Sequence, residues 1–70
     1  RPPNAWIIFR SDMNRLLRIE DPKATQSALS KRISDLWATA TPEVRAQYER
    51  RAEAAKVAHH ARYPNYKFAP

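Results

Sequence analysis

Asn4-Ala5-Trp6-Ile7-Ile8-Phe9-Arg10-Ser11-Asp12-Met13-Asn14-Arg15-Leu16-Leu17-Arg18-Ile19-Glu20 is the stretch that decides the fold. At about 100° per residue, Trp6, Phe9, Met13, Leu16 and Leu17 fall in one stripe roughly a third of the circumference wide, which is the pattern of a helix with one buried face. Asn4 is suited to cap it, because its side-chain oxygen can accept one of the unpaired N–H groups of the first turn. Asp21-Pro22 supplies the stop.

Working outward, a second helix is expected over about 26–39, with Leu29, Ile33, Leu36 and Trp37 at i, i+4, i+7 and i+8 as its core face. Its other side carries Ser27, Ser30, Lys31 and Ser34, a small, hydroxyl-rich surface with a cation in it. A third helix is expected over about 42–62. Thr41 caps it, Pro42 takes the first helical position and Glu43 lies beside the positive end of the dipole. Its stripe of Val44, Tyr48, Ala52, Ala55 and His59 is mostly small, so neighbouring elements can approach closely. Tyr63-Pro64 ends it, because a residue before proline disfavours the α region. The two remaining ends, 1–4 and 65–70, read as extended segments packed side by side against the third helix, with Tyr63 and Tyr66 covering its alanines.

Seventy residues allow one domain, and a chain of this size buries only about 60% of the surface its unfolded form exposes. Cysteine is absent, so disulfides and thiolate metal sites are excluded, and two His residues are too few for a structural zinc. Glycine is absent as well, which removes phosphate-cradling loops and tight two-residue hairpins. No metal or cofactor is expected. No paired carboxylates, metal-spaced ligands or nucleophile elbow mark an enzyme, and the His59-His60 pair has no partner motif. The sequence holds no apolar run long enough for a membrane span and no signal-peptide pattern, so a soluble, intracellular protein is expected. Thirteen Lys and Arg against seven Asp and Glu give a charge of +6 and a pI near 10.3, which suggests a polyanionic partner. Nucleic acid and an acidic membrane surface both fit that charge.

Ile7 is the anomaly. On the wheel of the first helix it lies among Arg10, Ser11, Asn14 and Arg18, away from the core stripe. A large apolar side chain on a basic surface is what a wedge between DNA base steps requires, although single exposed aliphatics are also normal on any surface.

Arg1-Pro2-Pro3-Asn4-Ala5-Trp6-Ile7-Ile8-Phe9 resembles the opening of a sequence-specific HMG box, which in the Sox and sex-determining group reads R-P-M-N-A-F followed by an aliphatic. The likeness continues without a gap. Glu20-Asp21-Pro22 matches the E-N-P turn, Ser27-x-x-Ser30-Lys31-Arg32 the S-x-x-S-K-R of the second helix, and Trp37 the core tryptophan. Tyr63-Pro64-Asn65-Tyr66-Lys67-Phe68 matches the closing Y-P-x-Y-K-Y. The double proline with Arg10-Ser11-Asp12 looks most like the boxes of fungal mating-type regulators.

The resemblance implies an all-α, L-shaped, three-helix HMG box spanning 1–70, whose concave face binds and widens the minor groove and bends double-stranded DNA. It also implies a nuclear transcription factor, monomeric on DNA, with another transcription factor as a further partner. Ile7 then corresponds to the wedge, Trp6 to the aromatic beside it and Asn4 to an asparagine that hydrogen-bonds base edges. Ser27 and Ser30 correspond to serines reaching minor-groove atoms, and Arg1 to a DNA-contacting arginine. Minor-groove readout separates mainly A·T from G·C, so an A·T-rich core site is expected. Ser11 and Asn14 stand where the Sox pattern carries arginines, which shifts phosphate contacts toward Arg10 and Arg15. Asn14 itself, Lys31, Lys67 and Phe68 complete the expected contact set, although Phe68 lacks the hydroxyl of the usual tyrosine. Ser34 replaces a glycine.

Each role has a plainer counterpart. Asn4 also serves as a cap, Trp6 is half core, the serines are at home in solvent, and Lys31, Arg32, Arg10 and Arg15 also suit a solvated face. Two other functions compete. A non-specific chromatin HMG protein usually carries Ser in place of Asn4 and a second apolar wedge at the start of the second helix, where this chain has the polar Thr25-Gln26-Ser27. A membrane-surface or protein-interaction helix bundle driven by charge alone predicts lipid binding without preference among DNA sequences.

Overall fold

The computed structural model describes residues 3–64, and they form three helices: α1 (Ala5–Glu20), α2 (Gln26–Ala38) and α3 (Pro42–Arg62). Every helix starts on a side-chain cap. Asn4 Oδ1 accepts from the Ile7 N–H at 2.9 Å, Thr25 Oγ1 from Ala28 at 3.1 Å and Thr41 Oγ1 from Val44 at 3.2 Å. The ends are closed by the backbone as well, with the Asp21 N–H donating to the Leu17 carbonyl and Tyr63 to His59, each at 2.8 Å.

Phe9 and Leu17 of α1 and Leu29 and Ile33 of α2 form the buried core, and Trp6, Met13, Ala24, Trp37 and Tyr48 pack against it. α1 packs against both other helices, whereas α2 and α3 meet chiefly through side chains. Trp37 makes that bridge. Its ring lies 4.9 Å from Phe9 and 6.4 Å edge-on from Tyr48, Arg45 stacks 4.7 Å from its centroid, and Arg45 also donates to its carbonyl at 2.6 Å.

No residue of α3 is fully buried, so a polar clamp supplements its contacts. Asp12 of α1 accepts from the Tyr48 hydroxyl at 3.1 Å and from the Arg51 guanidinium, and it pairs with Arg15 at 3.5 Å. The Arg51 hydrogen bond, with help from Tyr48, holds the Asp12 carboxyl below its ordinary value of 3.8 despite the opposing effect of burial. Burial, reinforced by the Asp12 hydrogen bond, pushes the Tyr48 hydroxyl up.

The arrangement is elongated, 43 × 25 × 22 Å, with a radius of gyration of 14.4 Å. A compact chain of this length has a radius of gyration of about 11 Å. α3, about 32 Å long at 1.5 Å per residue, accounts for most of the long axis.

Two core assignments from the sequence are corrected. Leu16 is 50% exposed and Leu36 41% exposed, although both lie on the stripes assigned to the core. Leu16 shares the angular position of Phe9 but sits about a turn beyond Asp12, where α3 makes its polar contacts. Leu36 falls on the edge of α2 that carries the Arg32–Glu20 ion pair of 4.0 Å, outside the α1–α2 seam. The expected packing of the extended ends, 1–4 and 65–70, rests on residues 1–2 and 65–70, Tyr66 among them, which lie outside the described residues. Tyr63 is half exposed, with its ring 5.2 Å from His59.

A depressed carboxyl stabilises the fold above its unfolded value, and that contribution is lost as the pH falls through the folded value. Asp12→Ala is therefore expected to cost about 1 kcal/mol at pH 7. The gap between variant and parent should close below the ordinary value of 3.8. Urea unfolding followed by circular dichroism from pH 7 to pH 2 measures both.

Candidate nucleic-acid interface

The periodicity of α1 sets Arg10, Asn14, Ile7, Arg18 and Ser11 in order around one half of the helix. Both acids of α1, Asp12 and Glu20, fall on the other half. On α2 the same construction groups Gln26, Ser30, Ser34, Ser27 and Lys31. Because the α1–α2 seam runs through Leu17, Met13, Leu29 and Ile33, these two polar arcs lie next to each other and make one continuous face.

Side-chain hydrogen bonds join the arcs. Arg18 donates through NH1 to the Ala24 carbonyl at 3.1 Å and through NH2 to Gln26 Oε1 at 3.0 Å. Gln26 Nε2 donates to Asn14 Oδ1 at 3.1 Å and to Ser30 Oγ at 3.3 Å. All four bonds are exposed to solvent.

Ile7 stands on this face, 36% exposed. Asn4 spends its oxygen on the α1 cap, which leaves its NH2 group for another acceptor. Trp6 is half-buried, with its ring 6.1 Å from Trp37 and 6.4 Å from Phe9. Beside it, Trp6, Ser34, Trp37 and Ala38 line an open cleft of about 260 Å³. Arg10 and Ser27 are exposed. Lys31 is exposed and paired with Asp35 at 3.6 Å. Arg15 is set apart from the group, paired within α1 with Asp12 at 3.5 Å. Arg1, Lys67 and Phe68 lie outside the described residues.

The sequence did not single out Gln26 or Arg18 as site residues. The available signals were a basic residue on the wheel beside Ile7 and a polar run, Thr25-Gln26-Ser27, in which only Ser27 carried a motif. Among the described residues there is no group of three His, Cys, Asp or Glu that could hold a metal, and no helix is long and apolar enough to cross a membrane.

A solvent-facing surface that is basic, free of acids on α1 and built from side-chain amides and hydroxyls suits a polyanion with readable polar edges. The family model of the HMG (high mobility group) box matches residues 1–67, and the chain belongs to that family, a non-enzymatic class of DNA-binding domains. It is 40% identical over all 70 residues to the mating-type protein MAT-2 of Cochliobolus sativus. It is 36% identical to the mating-type M-specific polypeptide Mc of Schizosaccharomyces pombe and 33% to the transcription factor Sox-7 of Xenopus laevis, again over its full length. The chain spans 21%, 39% and 19% of those three relatives.

Asn4 has a structural duty that is separable from any contact. Asn4→Ala is expected to lower stability by about 1 kcal/mol through loss of the cap, whereas Asn4→Ser, which keeps an acceptor oxygen, should change it by a few tenths at most. Urea midpoints of the two variants check this.

Proposed function

We propose that this HMG box is the DNA-binding part of a sequence-specific nuclear transcription regulator of the fungal mating-type kind. In this reading the chain from 1 to 70 acts as one domain, binds as a monomer in the minor groove of an A·T-rich element and bends the duplex. Another transcription factor is the further partner. Support for the nuclear and mating-type assignment comes from the likeness to the mating-type proteins and Sox-7.

The observation that carries the mechanism is Ile7, a 36% exposed isoleucine in the middle of a face of amides, hydroxyls and cations. A wedge entering a base step spends a few kcal/mol on unstacking and gains contacts along the bent duplex. Around it, Asn4, Asn14, Ser27 and Ser30 provide groups of the size and chemistry that reach minor-groove edges. Trp6 flanks the wedge, and its cleft with Ser34 and Trp37 offers an apolar seat beside it. Arg1, Arg10, Lys31 and Lys67 are the candidate phosphate contacts around it, Arg15 is a further one at the margin, where it pairs with Asp12, and Phe68 adds an apolar contact. Phosphate contacts position the domain, and base-edge contacts and shape give it preference.

Ile7→Ala should reduce the bend far more than the affinity; unchanged bending in a FRET assay on end-labelled duplexes removes Ile7 as the wedge. Arg10→Ala should weaken binding to all sequences and make the slope of log K against log salt shallower by about 0.9. Arg32→Ala, on the opposite edge of α2, should leave that slope unchanged. Fluorescence anisotropy at several salt concentrations distinguishes the two.

A further inference from the structure

The bonds that join the two polar arcs run in one direction, and that direction follows from the chemistry of the residue at their head. A guanidinium has five N–H donors and no acceptor. Arg18, fixed to the Ala24 carbonyl at 3.1 Å, therefore requires the oxygen of the Gln26 amide to face it, as the 3.0 Å contact with Oε1 records. The NH2 end of Gln26 then has to face away, toward Asn14 and Ser30. With Oδ1 engaged by Gln26, Asn14 meets an additional partner with its NH2 group. Ser30 accepts from Gln26 through its oxygen and keeps its O–H hydrogen for an outside acceptor.

We infer that Arg18 and Gln26 form a hydrogen-bond relay that sets the donor polarity of this face, so that Asn14 and Ser30 offer hydrogens rather than lone pairs to the DNA. This rests on the minor-groove reading proposed above and names the residues that set its preference. In the minor groove an A·T pair shows only acceptors, adenine N3 and thymine O2, while a G·C pair adds the guanine N2 amino donor. A donor face pairs with the first and confronts the second with donor against donor. Neither Arg18 nor Gln26 needs to touch a base for this; both are positioning residues. Each bond in the relay is exposed and so contributes little to stability, which leaves orientation as its main effect.

The test uses the 70-residue chain and three duplexes that differ only at the central contacted pair: A·T, inosine·C and G·C. Inosine lacks the guanine 2-amino group, so the comparison of the last two isolates the minor-groove donor. The parent protein is expected to bind inosine·C as it binds A·T, and G·C about tenfold more weakly. In Gln26→Glu the carboxylate accepts from Arg18 but also from Asn14 and Ser30, which turns the Asn14 amide around and directs the Ser30 hydroxyl inward. The face then presents acceptors, and the inosine·C to G·C ratio should fall to about twofold or less, by the same base-edge chemistry. The added negative charge weakens all three duplexes alike and cancels in the ratio. Arg18→Met, which frees the Gln26 amide to turn, should reduce the ratio part of the way. An unchanged ratio in Gln26→Glu, with thermal midpoints matching the parent, overturns the relay. A parent protein that binds inosine·C and G·C equally overturns the minor-groove reading itself.

Discussion

The indole of Trp37 is the point at which the three helices meet. α1 reaches it with Trp6 and Phe9, and α3 reaches it with Arg45 and Tyr48, at separations of 4.7 to 6.4 Å. Aromatic pairs of this kind add about 0.5–1.5 kcal/mol each beyond the area they bury. Such contacts matter more here than in a larger protein, because among the described residues only Phe9, Leu17, Leu29 and Ile33 are buried. α3 contributes no fully buried residue, so its direction depends on Tyr48 packing beside Trp37 and Phe9 and on the Asp12 clamp one turn further along.

That constraint also creates the candidate interface. With α1 and α2 joined along the Met13–Leu17 and Leu29–Ile33 seam, the helix positions just off the seam on one side become neighbours. They are Asn14 and Arg18 on α1 and Gln26 and Ser30 on α2, and the hydrogen bonds between them follow. The opposite side of the same seam carries the Glu20–Arg32 pair with the half-exposed Leu16 and Leu36. One face of the α1–α2 pair is thus polar and poor in acids, and the other is mixed, although both are built from the same two helices.

Much of this was legible in the chain. The caps of Asn4 and Thr41, the proline after Thr41 and the stop at Asp21-Pro22 act over three or four residues, so local sequence reports them directly. The displacement of Ile7 from the core stripe was legible for the same reason, since helical periodicity alone sets its angle. Leu16 was not, because a wheel projects the helix along its axis and discards the axial coordinate that decides whether a neighbour reaches a given turn.

Local sequence therefore determined where the three helices begin and end, which residues face inward near the seam, and the family to which the chain belongs. The tertiary structure alone decided which polar groups meet across helices. Asp12 and Arg51 are 39 positions apart, and Gln26 and Asn14 are 12 apart on different helices. Their contacts depend on how two rigid rods cross, a property of the packed core as a whole. The donor direction imposed by Arg18 on Gln26 is a consequence of that crossing, because a hydrogen bond is oriented only once its two partners have been brought within 3 Å or so of each other.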